Sequence, residues 1–403
     1  MLGAMLEIRA ITDDEADAFR ACLLTTFGSE VSDDPGGVDR VRALITPGRM
    51  WGAFDGRTVV ATAGTFALTV GVPGGTIAMA GLTMVTVRPT HRRRGILRGL
   101  IKLHLDDARA HGEPISGLWA SEATIYGRFG YGIAVESDAL VLDSRGTAIA
   151  PVGEPDDCVW IEVDEARARL PAIYARAVAD RPGALHRDAT WWRERRFVET
   201  PWGRGGASLR RHVVVRRGEL DVGYVVYRQR PGFDGGLPVG KLEIVELIAL
   251  DPRAESSLWR FVAGVDLFPT ASWPNAPTDS VLPWLASDPR RVTRRRVETL
   301  WLRIDDVPAA LAARHYAADG ALCFAAGEAR WALTVEGGRA RCVATDAAPE
   351  LRFEGTTLGS VFLGGIPVAT LARAGRITGD AAAIARADRM FAWPVAAWCP
   401  EVF

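Results

Sequence analysis

The sequence predicts an α/β (α+β) chain: a mixed sheet with helices, a second region built on the same plan, and a smaller mixed sheet at the end. Three observations carry this. Apolar β-branched runs alternate with runs of helical period over 6–142 and again over 160–265. In each cycle an apolar strand runs into x-Pro before a helix, as Val85-Thr86-Val87-Arg88-Pro89 and as Ile248-Ala249-Leu250-Asp251-Pro252. Polar stretches at 145–157 and 288–296 separate the regions, and the character changes again from Thr299. At 403 residues the chain exceeds one ordinary core. The boundaries these features suggest are 1–148, 149–292 and 293–403.

The first region opens with a strand at 6–9. Thr12 and the acidic run Asp13-Asp14-Glu15 then start a helix carrying Ala16, Phe19 and Leu23. A loop over 28–37 follows. A hairpin comes next, 51–54 and 58–70, turned by Asp55-Gly56. The turn Val72-Pro73-Gly74-Gly75 leads into a strand at 77–87. Leu97, Leu100, Ile101 and Leu105 give a helix to about Ala110, starting at Arg92 or Arg93. A strand at 115–120, a helix at 121–129 capped by Ser121, and a strand at 134–142 complete the region.

The second region repeats the order: a strand at 160–163, a helix at 166–178, a hairpin at 212–216 and 222–227, a strand at 242–250 and a helix at 256–265. The third has strands at 301–304, 321–325, 329–336, 339–345 and 351–354. Its helices start at Val307, with Pro308 in the first turn, and then cover 356–363, 367–374 and 380–391.

The stretch from Val85 to Arg98 looks most like chemistry. First-turn amides of a helix lack intrahelical partners and carry the positive end of the dipole, so a pyrophosphate can sit there. Gly95 lets the backbone come close. Arg92, Arg93, Arg94 and Arg98 add charge and forked donors. The second x-Pro approach continues Arg253-Ala254-Glu255, without glycine or an arginine cluster, so only the first copy is expected to bind a phosphate. The other candidate segment is Ala120-Ser121-Glu122, followed by Ile125-Tyr126-Gly127-Arg128-Phe129-Gly130-Tyr131-Gly132. Tyr131 lies between glycines and reads as packing.

Arg92-x-x-Gly95 after a strand resembles the acyl-CoA pyrophosphate loop of GNAT N-acetyltransferases, with Leu97 in place of the last small residue. The element order is the GNAT order, and the last region is similar to a sterol-carrier-protein domain. With the Tyr126 segment and the terminal phenylalanine, the whole chain resembles the Eis family of bacterial acetyltransferases. That resemblance implies two fused GNAT regions, the second degenerate, plus a sterol-carrier-protein-like domain, and a homohexamer. It implies acetyl-CoA as donor and no metal. The implied acceptors are amines of polycationic small molecules such as aminoglycosides.

Tyr126 matches the general acid, and the α-carboxylate of Phe403 the general base. Val85, Thr86, Val87, Arg92, Arg93, Arg94, Gly95, Ile96, Leu97, Arg98, Ser121 and Glu122 would hold the cofactor. The backbone N–H near Met84 or Val85 would polarise the thioester carbonyl. Phe27, Met84 and Glu401 would meet the substrate, and Glu30, Asp33 and Asp34 could add to an acidic mouth. The stretch Thr25-Thr26-Phe27 carries no carboxylate, unlike many family members, which leaves a different amine open as acceptor. A protein-lysine or peptide acetyltransferase and a non-catalytic CoA- or lipid-binding protein are the alternatives.

Composition narrows the partners. A formal net charge of −1 implies no nucleic acid or anionic membrane. The five cysteines are scattered without a CxxC pair, and the six histidines show no paired spacing, so zinc is not expected. An odd cysteine count without a framework suggests a reducing cytoplasm. The N-terminus shows no signal-peptide pattern, and no apolar run reaches transmembrane length.

Overall fold

The computed structural model describes residues 6–403, apart from the side chains of Asp33 and Trp202. The chain forms two compact units. One holds residues up to Val135, the short segment Pro182–His186, and everything from Glu298 onward; the other holds Glu136–Arg181 and Arg187–Val297.

The first unit is built on β1 (Glu7–Ala10), α1 (Ala16–Thr26), α2 (Gly37–Leu44), β2 (Met50–Asp55), β3 (Thr58–Val72), β4 (Gly75–Val87), α3 (Ile96–Ala110), β5 (Ile115–Trp119), α4 (Ala123–Tyr126) and β6 (Gly132–Ile133). The strands lie in the order β1-β2-β3-β4-β5, then Leu300–Ile304, then β6. β1 to β4 are antiparallel neighbours, and β4 meets β5 in parallel. Most of β3 is buried, because α3 covers the sheet with Ile96, Leu100 and Ile101, all at most 3% exposed. Each such side chain contributes about 1.5–3 kcal/mol. α2 was not expected, although Val38, Val41 and Leu44 recur at helical spacing on its inner face.

Two strands join sheets that the composition did not indicate. Leu300–Ile304, expected to open the third region, pairs antiparallel with β5 from Leu300↔Trp119 to Ile304↔Ile115. Glu136–Asp143, expected to close the first region, pairs with Thr270–Ala276 in the second unit's sheet. The boundaries at 148 and 292 therefore fall inside the second unit. Polar stretches mark where the chain is exposed, not which sheet edge a flanking strand reaches.

The second unit has its own seven-stranded sheet. Its helix Pro252–Ala263 starts directly at the proline, and the Asp251 side chain accepts from Ala254 N at 2.9 Å. The helix end that might have met a phosphate is thus closed by the chain's own carboxylate.

The C-terminal part of the first unit carries a five-stranded sheet, ordered Arg339–Ala344, Ala329–Glu336, Gly320–Ala326, Leu351–Phe353, Ile377–Gly379. Its last strand was missed because it is only three residues long. The tail is pinned where Trp398 N donates to Pro182 O at 2.8 Å. No helix among the described residues is long and apolar enough to cross a membrane.

Arg49 just before β2 is 2% exposed. It reaches Asp107 of α3 at 2.7 Å and Glu113 at 2.6 and 2.9 Å. Removing the guanidinium leaves two carboxylates with no countercharge. Arg49→Met is expected to destabilise the first unit by about 3–5 kcal/mol, read as a lower urea midpoint; an unchanged midpoint would discount the triad.

Candidate active site

β4 and β5 are paired only from Met79↔Ile115 to Gly81↔Gly117. Past that point β4 continues to Val87 without β5 along its edge. A bulge marks the parting. Thr62 faces Thr86 and Gly64 faces Thr83, so Ala63 opposes both Met84 and Val85. Met84 has φ 53°, a left-handed conformation that costs a non-glycine residue about 1–3 kcal/mol.

Thr62 holds the bulge. Its Oγ1 donates to Met84 O at 2.6 Å and lies 2.7 Å from Thr86 Oγ1. The Met84–Val85 peptide is planar and trans. With its carbonyl tied toward β3, the Val85 N–H points the other way, to the open edge. Sequence reasoning missed Thr62, since nothing local marks a hydroxyl that acts on a strand more than twenty residues ahead.

The loop after β4 differs from the expectation. Pro89–His91 is a single 3-10 turn, Arg92 is extended, Arg93 and Gly95 are left-handed at φ 63° and 79°, and α3 starts at Ile96. Left-handed residues cannot continue a right-handed helix, so the start moves past both. Such alternation curls successive N–H groups into a concave, anion-binding form. A Cβ at Gly95 would meet nothing within 4 Å, so glycine serves the backbone angle there and the space above it is open. Arg92, Arg93 and Arg98 are exposed and engage no partner among the described residues. Arg94 turns back onto Thr90 O at 3.2 Å.

A cleft of about 1120 Å³ joins these parts. Val85, Thr86, Val87, Arg92, Arg93, Gly95, Ile96, Leu97, Arg98, Ser121, Glu122, Tyr126 and Phe27 line it, as expected from sequence. His91 and Arg128 line it too, and the Arg128 guanidinium adds a charge that was not anticipated. Arg128 stood inside the Tyr126 motif, where its charge was a readable signal. Arg94, Met84, Glu401 and Phe403 lie outside the wall. Glu30 and Asp34 also lie outside it; Asp34 is engaged by Arg20 at 2.5 Å and by Arg40. Asp33's side chain is outside the described residues.

Tyr126 ends α4, which starts two residues later and ends three residues earlier than expected. Glu122, not Ser121, occupies the N-cap, and a 3-10 turn, Gly127–Phe129, follows. The ring is 5% exposed. Burial, helped by the Glu122 charge, pushes the phenol up to about 12. It packs edge-on against Tyr131, with ring centres 6.2 Å apart. Tyr131 is a packer, as expected, but a hydrogen-bonded one. Its hydroxyl lies 3.0 Å from His104 Nε2, and His104 Nδ1 lies 2.6 Å from Thr65 Oγ1. Burial holds His104 down to about 3, so the imidazole is neutral at pH 7.

Phe403 is 9% exposed. Its Cε2 would stand 3.2 Å from a Cβ on Gly81, which places the ring against β4 at its last pairing with β5.

Models of an acetyltransferase (GNAT) domain match residues 7–134 and 183–304, and a sterol carrier protein domain matches 307–400. The chain is 36% identical to an uncharacterized N-acetyltransferase of Streptomyces avermitilis over 98% of this chain and 99% of that one. It is 37% identical to N-acetyltransferase Eis of Mycobacterium tuberculosis over 85% of each. Among solved structures, Eis1 from Mycobacterium abscessus superposes with a TM-score of 0.84 at 28% identity, over 98% of this chain and 100% of that one. A GCN5-related N-acetyltransferase from Anabaena variabilis shares the fold with a TM-score of 0.85 at 18% identity, over 99% and 100%.

Thr62→Val keeps the shape of the side chain and loses the hydroxyl. The peptide after Met84 is then free to turn, and kcat/KM for acetyl-CoA is expected to fall roughly five- to tenfold, the worth of one such hydrogen bond. Steady-state kinetics check this; a value within twofold of the parent, as an order-of-magnitude threshold, would mean that the bulge holds itself.

Proposed function

The chain belongs to the Eis family of GNAT N-acetyltransferases, and on that premise we propose that it transfers acetyl directly from acetyl-CoA to an amine of a polycationic small molecule, aminoglycosides included. The observation that carries this reading is the convergence of the open β4 edge, the arginine loop and the Tyr126 phenol on one cleft. Acetyltransferases of this class draw the acetyl group from acetyl-CoA, and the residues present suit it. The loop amides with Arg92, Arg93 and Arg98 answer a pyrophosphate. The edge at 82–87 offers backbone hydrogen bonds to the amide groups of a pantetheine arm. The Val85 N–H is turned to polarise a thioester carbonyl.

Tyr126 is the proposed acid. A phenol near 12 is protonated throughout the neutral range. Full transfer to a thiolate whose acid sits near 8.5 would be uphill by roughly 5 kcal/mol. The phenol therefore contributes mainly a hydrogen bond to the sulfur as charge builds there. The Phe403 carboxylate is the proposed base. An α-carboxylate is ordinarily a weak base, near about 3.5, so this role requires it to be desolvated in the site or to act through a water. Phe27, 56% exposed on the cleft wall, offers an apolar face to the acceptor.

Tyr126→Phe is expected to lower kcat at least a hundredfold, the scale of acid–base contributions, with affinity for CoA nearly unchanged by calorimetry. Equal loss of both would remove the acid role. Because the acid form persists up to about 12, activity should show no Tyr126-dependent fall on the alkaline side until pH approaches that value. A descending limb at lower pH that vanishes in Tyr126→Phe would contradict it.

An acetyl-CoA consumption assay with aminoglycosides, polyamines and a lysine peptide side by side identifies the acceptor. Aminoglycosides are expected to be turned over fastest; preference for the peptide would replace the proposed acceptor. Residues appended after Phe403 should abolish most turnover, and an unaffected enzyme would exclude its carboxylate.

A further inference from the structure

Arg303 sits on Leu300–Ile304, in register with Ser116 of β5. Its guanidinium spans two acceptors. Nε donates to Asp305 Oδ1 at 2.6 Å, and Nη1 donates to the Phe129 carbonyl at 2.5 Å. Asp305 is itself fixed, because Ser116 Oγ donates to its Oδ2 at 2.6 Å. The fork is therefore aimed by the sheet and not by solvent.

The carbonyl it holds closes the turn Gly127–Phe129, which follows directly on Tyr126. Gly130 comes next at φ 89°, and a Cβ there would stand 2.7 Å from Arg303 Nη1. The glycine thus meets two needs, a left-handed angle and room for the guanidinium. Tyr131 N then donates back to Tyr126 O at 3.3 Å. The turn carrying the phenol is held from outside at Phe129 and from within at Tyr126.

We propose that Arg303 is a positioning residue for Tyr126: its fork between Asp305 and the Phe129 carbonyl fixes the 127–130 turn and so sets where the phenol stands in the cleft. The proposal rests on the reading of Tyr126 as the hydrogen-bond donor to sulfur. Arg303 touches neither substrate nor reacting atoms, and it acts through the turn alone. Lysine cannot replace it, since one ammonium does not span both acceptors in a fixed geometry.

The test is a double-mutant cycle between Arg303→Met and Tyr126→Phe, read as kcat and KM for acetyl-CoA. A misplacement of about 1 Å can cost up to a hundredfold, so Arg303→Met in the parent should lower kcat about tenfold or more. KM for acetyl-CoA should stay within about twofold, because the loop at Arg92–Gly95 is untouched. In the Tyr126→Phe background the same substitution should change kcat by less than about twofold, since no phenol is left to place. Arg303→Lys should resemble Arg303→Met. Gly130→Ala, with the arginine intact, should give the same pattern.

Arg303→Met strands the partly buried Asp305 carboxylate. Arg303→Met/Asp305→Asn removes that charge and is the variant to use if the single one unfolds. An equal fold-loss with and without the phenol would mean a merely structural role and would overturn the proposal while leaving the acid role intact. A fully active Tyr126→Phe would instead remove the acid role, and this proposal with it.

Discussion

One strand edge left without a partner organises the first unit. β4 gives up β5 after Gly81↔Gly117 and runs on with its N–H and C=O groups facing a cleft. An open edge is a liability in a folded protein, because it invites another chain to pair. Here it is short, bent by a bulge, and roofed by the loop at Arg92–Gly95 and the turn after Tyr126. The strain at Met84 persists because a buried threonine holds the carbonyl that the bulge exposes. Stability given up at the edge leaves backbone hydrogen-bonding groups facing the cleft.

The two GNAT regions show what separates a fold from a site. Each brings an apolar strand to x-Pro and then to a helix. In the second, Asp251 caps the helix at Ala254, and Arg217 pairs with that aspartate at 2.9 Å. The dipole and the first-turn amides are already answered. In the first, the helix start is delayed to Ile96 by left-handed Arg93 and Gly95, and no carboxylate caps it. The same helix end is capped by the chain's own carboxylate in one copy and has no side-chain cap in the other.

Much of the cleft lining was legible in the sequence, and long-range placement was not. Arg92-x-x-Gly95 and the Tyr126 segment could be read because their residues act within a few positions of one another. The first hairpin could be read from Asp55-Gly56, whose turn places Gly56 at φ 60°. The helix start was misplaced because a left-handed arginine leaves no mark on composition. Trp301 to Ile304 reads as an apolar strand whichever sheet it joins, and only tertiary pairing shows that it lies beside β5. Thr62, His104 and Arg303 matter through partners 22, 27 and 174 residues away, a separation no window of sequence can span.

That late strand changes what the first unit is. A segment cut at 148 would keep the arginine loop and Tyr126, yet β5 would lose its partner from Leu300 to Ile304. The edge at 115–119 would then be open over its whole length, beside an edge of β4 that is already open. It would also lack Arg303 under the Tyr126 turn and the tail that brings Phe403 to Gly81. Closing the sheet requires contacts that span most of the chain, and such contacts are slow to form because loop closure precedes their reward. The seven-stranded sheet of the first unit is therefore complete only after the C-terminal part has been made and has returned. The cleft is lined by residues 26–129 alone, yet the turn after Tyr126 is held by Arg303, which arrives more than 170 residues later, so the geometry at Tyr126 depends on a contact that the first 148 residues do not contain.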